Sequence, residues 1–495
     1  MSKFFSEFSL PQTSAASSGV QQTHRLTAIF AVLAAMMLVV LDAAIANVAL
    51  PSIAQSLNVT PAFSVLIVTS YQMALVMALL PCAALGESLG YRRVFTAGVA
   101  LFTSASLLCS LSPSLPWLVA ARFLQGLGGA AVMALGVALL RFVVPHGRFG
   151  AAIGWNALII ALSSAAGPTI GALILSCTSW HWLFAVNLPV GLVVLLATRA
   201  LPRPTGTARR LDLVSVALNA GSFAGLVIGA ELLLAKPVLA AVLLVVSVLG
   251  VRVLVEREMP KEAPLIPLDL LRVDSFRMSV IASTCCFAGQ TAAMVALPFY
   301  LQHGLGQSAA MTGLYLTSWP LTVAIAAPIA GRLTHYVSTA WLCAAGGACL
   351  AMGLAAASLW PLHGRPLPLV AFTILCGLGF GLFNVPNNRN MFLSAPSERS
   401  GAAGGMQGTA RLVGQTVGAI IMTLLFTLTS AESAPQIGLG IGSALTLVAG
   451  IVSVLRDKPA TSDGTISQGS AMRATLVFGT ESRWDSETKA GQTEA

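Results

Sequence analysis

The chain has 495 residues, of which 56% are hydrophobic and only 9% charged, against roughly a quarter charged in an ordinary soluble domain. Its net charge of +9 is spread over short links, with no polybasic run or basic stripe carrying aromatics, and that distribution argues against a nucleic-acid surface. The eight cysteines fall inside or beside apolar runs without metal-ligand spacing, so free thiols are expected rather than a zinc site or a disulfide framework.

With so few charges the main solvent must be lipid. Every backbone amide there has to be satisfied within its own segment, so apolar runs of about 20 residues bounded by Gly, Pro and charge are read as spanning helices. Residues 1–25 are expected to be a polar cytoplasmic tail without structure. Spans follow near Leu26–Val48, Phe63–Leu85, Val94–Leu111, Trp117–Leu140, Ala151–Leu175 and Trp182–Thr198, a six-helix bundle over 26–200. The first run is too long for a signal-peptide core and lacks a convincing cleavage site, so it is expected to stay as a span. Leu213–Leu234 and Val238–Val255 form a linker pair over 211–255, and a link rich in charge and Pro occupies 256–277. Met278–Leu301, Met311–Ala330, Trp341–Leu359, Leu367–Phe383, Met406–Leu428 and Ile437–Val454 make a second bundle over 278–455, before a Ser, Thr and Gly-rich tail over 456–495.

Lysine and arginine sort cleanly between the two sets of links. One set holds Arg92, Arg93, Arg141, Arg148, Arg203, Arg209, Arg210, Arg257, Lys261, Arg272, Arg277, Arg332, Arg389 and Arg399; the other holds Lys236 and Arg365. The positive-inside rule then puts the first set and both termini in the cytoplasm.

Within the first span, Asp42 places a carboxylate in an otherwise apolar helix. A charge at membrane depth costs about 2.5–3.5 kcal/mol on insertion scales, so it marks a functional position unless it serves a structural ion pair or snorkels. Asp42 lies close to the outward end of its span and Arg122 close to the same end of the fourth, so the two can meet at one level. They are the candidate proton-coupling pair. Tyr71, Gln72, Gln290, Asn384 and Gln407, with Asn187, are candidate cavity polars, though helix–helix hydrogen bonds explain them equally well. Arg411 and Glu231 are read as snorkelling to the interfaces.

Several segments carry a resemblance. Asp42 to Pro51, Arg122-Phe123-Leu124-Gln125-Gly126-Leu127-Gly128-Gly129, and Ser163 to Gly171 with Gly167-Pro168 at its centre are similar to motifs of the fourteen-span drug:proton antiporter branch of the major facilitator superfamily. Ala44 stands where Thr is usual, and Ser163 and Ala172 replace glycines. The resemblance implies that Arg122 takes part in proton transfer and that Gly167, Pro168 and Gly171 form the helix that marks exporters. Leu85 to Arg93 resembles the superfamily's loop motif, with Glu87 for its Asp and Ala83 for its first Gly; Glu87, Gly90, Arg92 and Arg93 would form a cytoplasmic latch. Gly331 to Tyr336, with His335 in place of the acid, and Gly408 to Gly418 echo the latch and the fifth span, consistent with internal duplication. Trp180 to Gly191 matches the start of the sixth span, with His181 where Arg is usual, and is read as structural.

The resemblance implies an all-helical membrane protein of the major facilitator fold, with two six-helix bundles and two linker helices. It also implies a monomer in the cell (inner) membrane that exports small molecules by alternating access. No cofactor or metal is expected, the proton being the coupling ion; the partners are a small-molecule substrate and the bilayer. The tenth span carries no acid, which leans the substrate towards neutral or monovalent lipophilic compounds. A dedicated metabolite transporter of the same fold and a non-transporting sensor are the alternatives. No nucleophile elbow, phosphate loop or paired metal ligand speaks for an enzyme.

Overall fold

The structure is a computed structural model that describes residues 15–144, 149–202, 212–259, 268–361, 365–395 and 400–456. Arg148, Arg203, Arg209, Arg210, Lys261, Arg399 and the C-terminal tail lie outside them, as do residues 1–14. Every regular element described is helical. The helices are α1 (Ala15–Ser56), α2 (Pro61–Leu89), α3 (Tyr91–Ser110), α4 (Leu115–Val143), α5 (Phe149–Cys177), the short α6 (Trp182–Ala185) running on into α7 (Asn187–Ala197), α8 (Leu213–Glu231), α9 (Pro237–Glu258), α10 (Asp274–Phe299), α11 (Ala309–Leu333), α12 (Thr339–Ser358), α13 (Leu367–Leu393), α14 (Ser400–Leu428) and α15 (Ala434–Leu455). Thirteen segments are long and apolar enough to cross a membrane, α6 and α7 counting as one, and α5 adds the apolar stretch Leu162–Cys177.

Three helices differ most from expectation at their ends, and one of them, α13, runs on past Phe383 to Leu393. α1 begins at Ala15, not Leu26, so part of the expected tail is helical, and it runs past Pro51 to Ser56. Proline inside a membrane helix is tolerated because neighbouring groups satisfy the freed carbonyl. α14 begins at Ser400, ahead of the expected Met406, because Gly and Ser add little hydropathy yet continue the helix.

Short links make successive helices antiparallel, so one end of the bundle carries Gly90 and the other carries Cys177. Between α2 and α3 the chain turns at Gly90, whose φ of 98° lies where side-chain-bearing residues are strained. Gly90→Val is expected to cost about 1–3 kcal/mol, read as a lower melting temperature of the detergent-purified protein.

α1 to α7 pack as one bundle and α10 to α15 as another, and the second repeats the first. α4 packs on α2 and α3; correspondingly, α13 packs on α11 and α12. The glycines show the register. A Cβ on Gly128 would meet the backbone of Phe102 and Gly98, and one on Gly379 would meet that of Leu350 and Gly346. Likewise Gly126 abuts the Tyr71 carbonyl, and Gly377 abuts that of Trp319. The halves meet along two seams that exchange under this correspondence, α2 against α14 and α5 against α11.

The linker pair is clasped at the Gly90 end. Asp212 caps α8 by accepting from the amides of Val214 and Ser215, at 3.1 and 3.2 Å, and binds Arg257 of α9 at 3.0 Å. Asn219 of α8 donates to the Met77 carbonyl of α2 at 3.0 Å, while only 17% of the apolar window of α9 is buried, as suits a helix facing lipid.

Candidate functional site

The first bundle holds an ion pair at its centre. Arg122 Nη1 donates to Asp42 Oδ2 at 2.5 Å, and each side chain is 1% exposed. Two carboxamides complete the carboxylate's shell: Gln125 Nε2 donates to Oδ1 at 2.9 Å and Asn187 Nδ2 to the same oxygen at 2.6 Å. Gln125 also accepts from Arg122 Nη1 at 2.6 Å and reaches Ser106 Oγ at 2.9 Å. Arg122 Nε donates to the Ile67 carbonyl at 3.3 Å. Its guanidinium carbon lies 4.2 Å over the Tyr71 ring and 5.5 Å from that of Phe184.

The sequence brings these groups together for local reasons. Arg122 and Gln125 lie one turn apart on α4, so both face α1. Gly126 and Gly128 let α4 approach α2 and α3 closely enough for Arg122 to reach Ile67 and for Gln125 to reach Ser106. Asn187 stands at the junction of α6 and α7, completing the shell from a fifth helix. Desolvating two ions costs several kcal/mol each, so a buried pair persists only with close geometry and its remaining valences filled. Both conditions hold here. An acid in this shell has one covalent option, taking a proton, and doing so removes the negative half of the pair.

Gly167 and Gly171 press α5 against Ala44 and Ile45 of α1, within a turn of Asp42. On its other side α5 meets α11: Gly313 abuts the Pro168 carbonyl and Ala172, and the hydroxyls of Thr169 and Thr317 share a hydrogen bond. The exporter-type glycine segment therefore bridges the charged site and the seam between the halves.

The family model for the Major Facilitator Superfamily matches residues 32–270 and 279–484. The chain belongs to this superfamily. It is 44% identical over 446 residues, 88% of this chain and 97% of the relative, to the uncharacterized transporter YebQ of Escherichia coli (strain K12). It is 31% identical over 409 residues to the multidrug resistance protein Stp of Mycobacterium tuberculosis (strain CDC 1551 / Oshkosh), covering 81% of this chain and 76% of the relative. A crystal structure of a mutant of the peptide transporter POT, in complex with sulfate, superposes with a TM-score of 0.67 at 15% identity, over 91% of this chain and 97% of that one, and shares the fold. This Major Facilitator Superfamily member is a multi-pass membrane transporter and not an enzyme.

Of the residues singled out in the superfamily member's sequence, Asp42, Arg122 and Tyr71 lie together in one site. Tyr71 is walled in beneath Arg122 rather than lining an open space, and its hydroxyl lies 3.5 Å from the Val39 carbonyl. Gln72 is buried with Oε1 unpartnered. Gln290 is half-buried on α10. Asn384 and Gln407 belong to a carboxamide ladder in the second bundle, in which Gln407 Nε2 donates to Asn388 Oδ1 at 3.3 Å and Asn388 Nδ2 to Asn384 Oδ1 at 3.1 Å. In the latch, Arg92 donates to the Leu201 carbonyl at 3.1 Å, a contact within the first bundle, while Arg93 is exposed.

Three readings change. Asn187 lies in the segment read as structural yet binds Asp42 directly. Glu231 does not snorkel; it meets Thr69 of α2 and leaves Oε1 enclosed without a partner. Arg411 does not sit at a helix end either: it is half-buried well inside α14, with its Nε enclosed and unpartnered. Gln125, Ser106 and Phe184 carried no charge to mark them; Gln125 was visible only as part of the fourth-span motif.

The repeat sharpens the picture. In the register set by the glycines, Arg122 and Gln125 of α4 correspond to Thr373 and Cys376 of α13. The second bundle keeps the close helix packing and lacks the charges.

Proposed function

We propose that this transporter is a proton-coupled exporter of small lipophilic compounds that works by alternating access, with Asp42 and Arg122 as the coupling pair. The observation that carries the proposal is the closed shell around Asp42, whose three donors come from α4 and α7 and whose acid lies on α1, the helix that α5 packs against.

A proton taken by Asp42 turns an acceptor-only group into one that must donate through one oxygen. The contact with Arg122 is then lost or weakened, and the guanidinium keeps the faces of Tyr71 and Phe184, an arrangement worth up to about 2 kcal/mol when desolvated. Taken up while the Cys177 end is open, the proton releases α1 from α4 and loosens the support under α5, so that α5 and α11 close at Thr169 and Thr317 and the Gly90 end opens. Loss of the proton to the cytoplasm reverses the sequence. Each charge moving inward yields about 2.3 kcal/mol per 100 mV. Sequence similarity to a multidrug resistance protein supports export over import.

The test is proton movement linked to substrate. In inverted vesicles holding a pH gradient, at least one member of a panel of lipophilic anions, neutral compounds and cations is expected to dissipate the gradient, and only when the protein is present. A gradient that the whole panel leaves untouched would falsify the coupling.

The cell membrane is the proposed location, with the Gly90 end and both termini cytoplasmic, from the arginine bias. The native thiols offer a direct check, because Cys177 is the exposed one among those described. A membrane-impermeant maleimide is expected to label intact cells at Cys177 and to leave Cys177→Ser unlabelled. Labelling that requires permeabilised cells reverses the orientation.

A further inference from the structure

Arg411 lies well inside α14 rather than at its end. Its surroundings are those of the seam between the halves. Gly408, one turn away, faces Leu79 of α2, and Leu412 belongs to the same core cluster as Tyr71, Leu75 and Leu79. Across that seam Arg411 is within electrostatic reach of Tyr71. Among the described residues it makes no hydrogen bond and no ion pair, and its Nε is enclosed.

The nearby charge does not answer it. Asp42 is engaged by Arg122, Gln125 and Asn187. Glu231, the last residue of α8, lies against Thr69 of α2. A cation held in low dielectric without a counter-ion is costly, and such positions in membrane proteins mark the path of a substrate or ion. The side chains beside Arg411 are polar and neutral: Gln407 shares its stripe of α14, one turn away, and continues into Asn388 and Asn384. A guanidinium with free forked N–H groups, next to carboxamides and the apolar Leu79 of α2, matches an oxyanion carried on a lipophilic body.

We propose that Arg411 is the recognition point for the anionic group of the substrate, a carboxylate, sulfonate or phosphate ester attached to an apolar body. This names the substrate class for the exporter proposed above and rests on that reading. It replaces the neutral or cationic preference drawn from the sequence. Gln407, Asn388 and Asn384 supply the remaining hydrogen bonds, and the coupling acid stays separate in the first bundle.

The test is equilibrium binding to the purified full-length protein of three probes that share one ring system: 2-naphthoate, 2-naphthamide and a (2-naphthylmethyl)trimethylammonium salt. Wild type is expected to bind naphthoate about tenfold or more tightly than the amide and the cation, a difference of about 1.4 kcal/mol. Arg411→Gln is expected to bring naphthoate down to the amide's affinity while the amide changes less than about threefold, which also shows that the variant is folded. Arg411→Lys is expected to retain part of the preference, because it keeps the charge and loses the fork. Naphthoate binding no tighter than the amide in wild type, or a preference that survives in Arg411→Gln, overturns the proposal; if Arg411→Gln does not fold, an undiminished preference in Arg411→Lys with the cation bound equally well does the same. Binding in detergent needs no gradient, so a transporter that prefers naphthoate yet moves no protons refutes the exporter reading and not this one.

Discussion

Asp42→Asn is expected to abolish gradient-driven efflux while leaving the protein folded in the membrane. Asparagine has the same shape and keeps one acceptor for Gln125 or Asn187, so the helices stay in place. Its amide nitrogen, however, brings N–H groups where Arg122 Nη1 needs an acceptor at 2.5 Å, and the cation is left without its counter-charge. Removing one partner of a buried pair costs about 3–5 kcal/mol, which as a barrier amounts to roughly a hundredfold to five-thousandfold in rate. The side chain also no longer takes up a proton. Dye efflux from energised cells, normalised to the amount of monodisperse protein, is the measurement. Residual flux is expected to be indifferent to the pH gradient. Wild-type efflux from the mutant would leave the coupling pair without a role.

The glycines of α4 are expected to divide sharply. A Cβ on Gly128 would stand 2.5 Å from the Phe102 amide nitrogen and 2.7 Å from the Gly98 carbonyl oxygen, both backbone atoms that cannot yield. Gly128→Ala therefore pushes α4 away from α3, with an overpacking cost of about 1–3 kcal/mol. The shift carries Gln125 off Ser106, so transport falls together with stability. A Cβ on Gly129 meets a side-chain atom, the Tyr71 hydroxyl, at 3.1 Å. A ring shift of a few tenths of an ångström relieves that contact, and alanine gains about 1 kcal/mol over glycine in helix propensity. Gly129→Ala is thus expected to be neutral or slightly stabilising. Melting temperatures of the two purified variants decide the matter, and equal losses would mean that α4 does not pack on α3 as described.

The spans were legible because hydropathy and charge placement are direct consequences of the solvent, and Asp42 and Arg122 stood out because a charge in an apolar run has no bland explanation. Gly90 was legible for a similar reason: a glycine between an acid and two arginines, at the end of an apolar run, marks a turn. The rest of the site was not. Gln125 and Ser106 are uncharged, scarcely disturb hydropathy, and gain meaning only when α3 and α4 converge on one carboxylate, while Asn187, marked in the sequence as a cavity polar, has its role defined only by its contact with Asp42. Arg411 was misjudged through a boundary. Starting the thirteenth span at Met406 placed Arg411 near an end, whereas the helix starts at Ser400 and carries it deep into the seam.

The charged shell exists in one copy of a duplicated architecture, its counterparts Thr373 and Cys376 being neutral, while the unpaired cation of the seam belongs to the other copy. On the two proposals above, energy conversion and cargo selection are housed in separate modules on one scaffold. Drift in the second module would then alter which compound is carried and leave the fuel unchanged, so that related transporters could diversify their cargo without reinventing their engine.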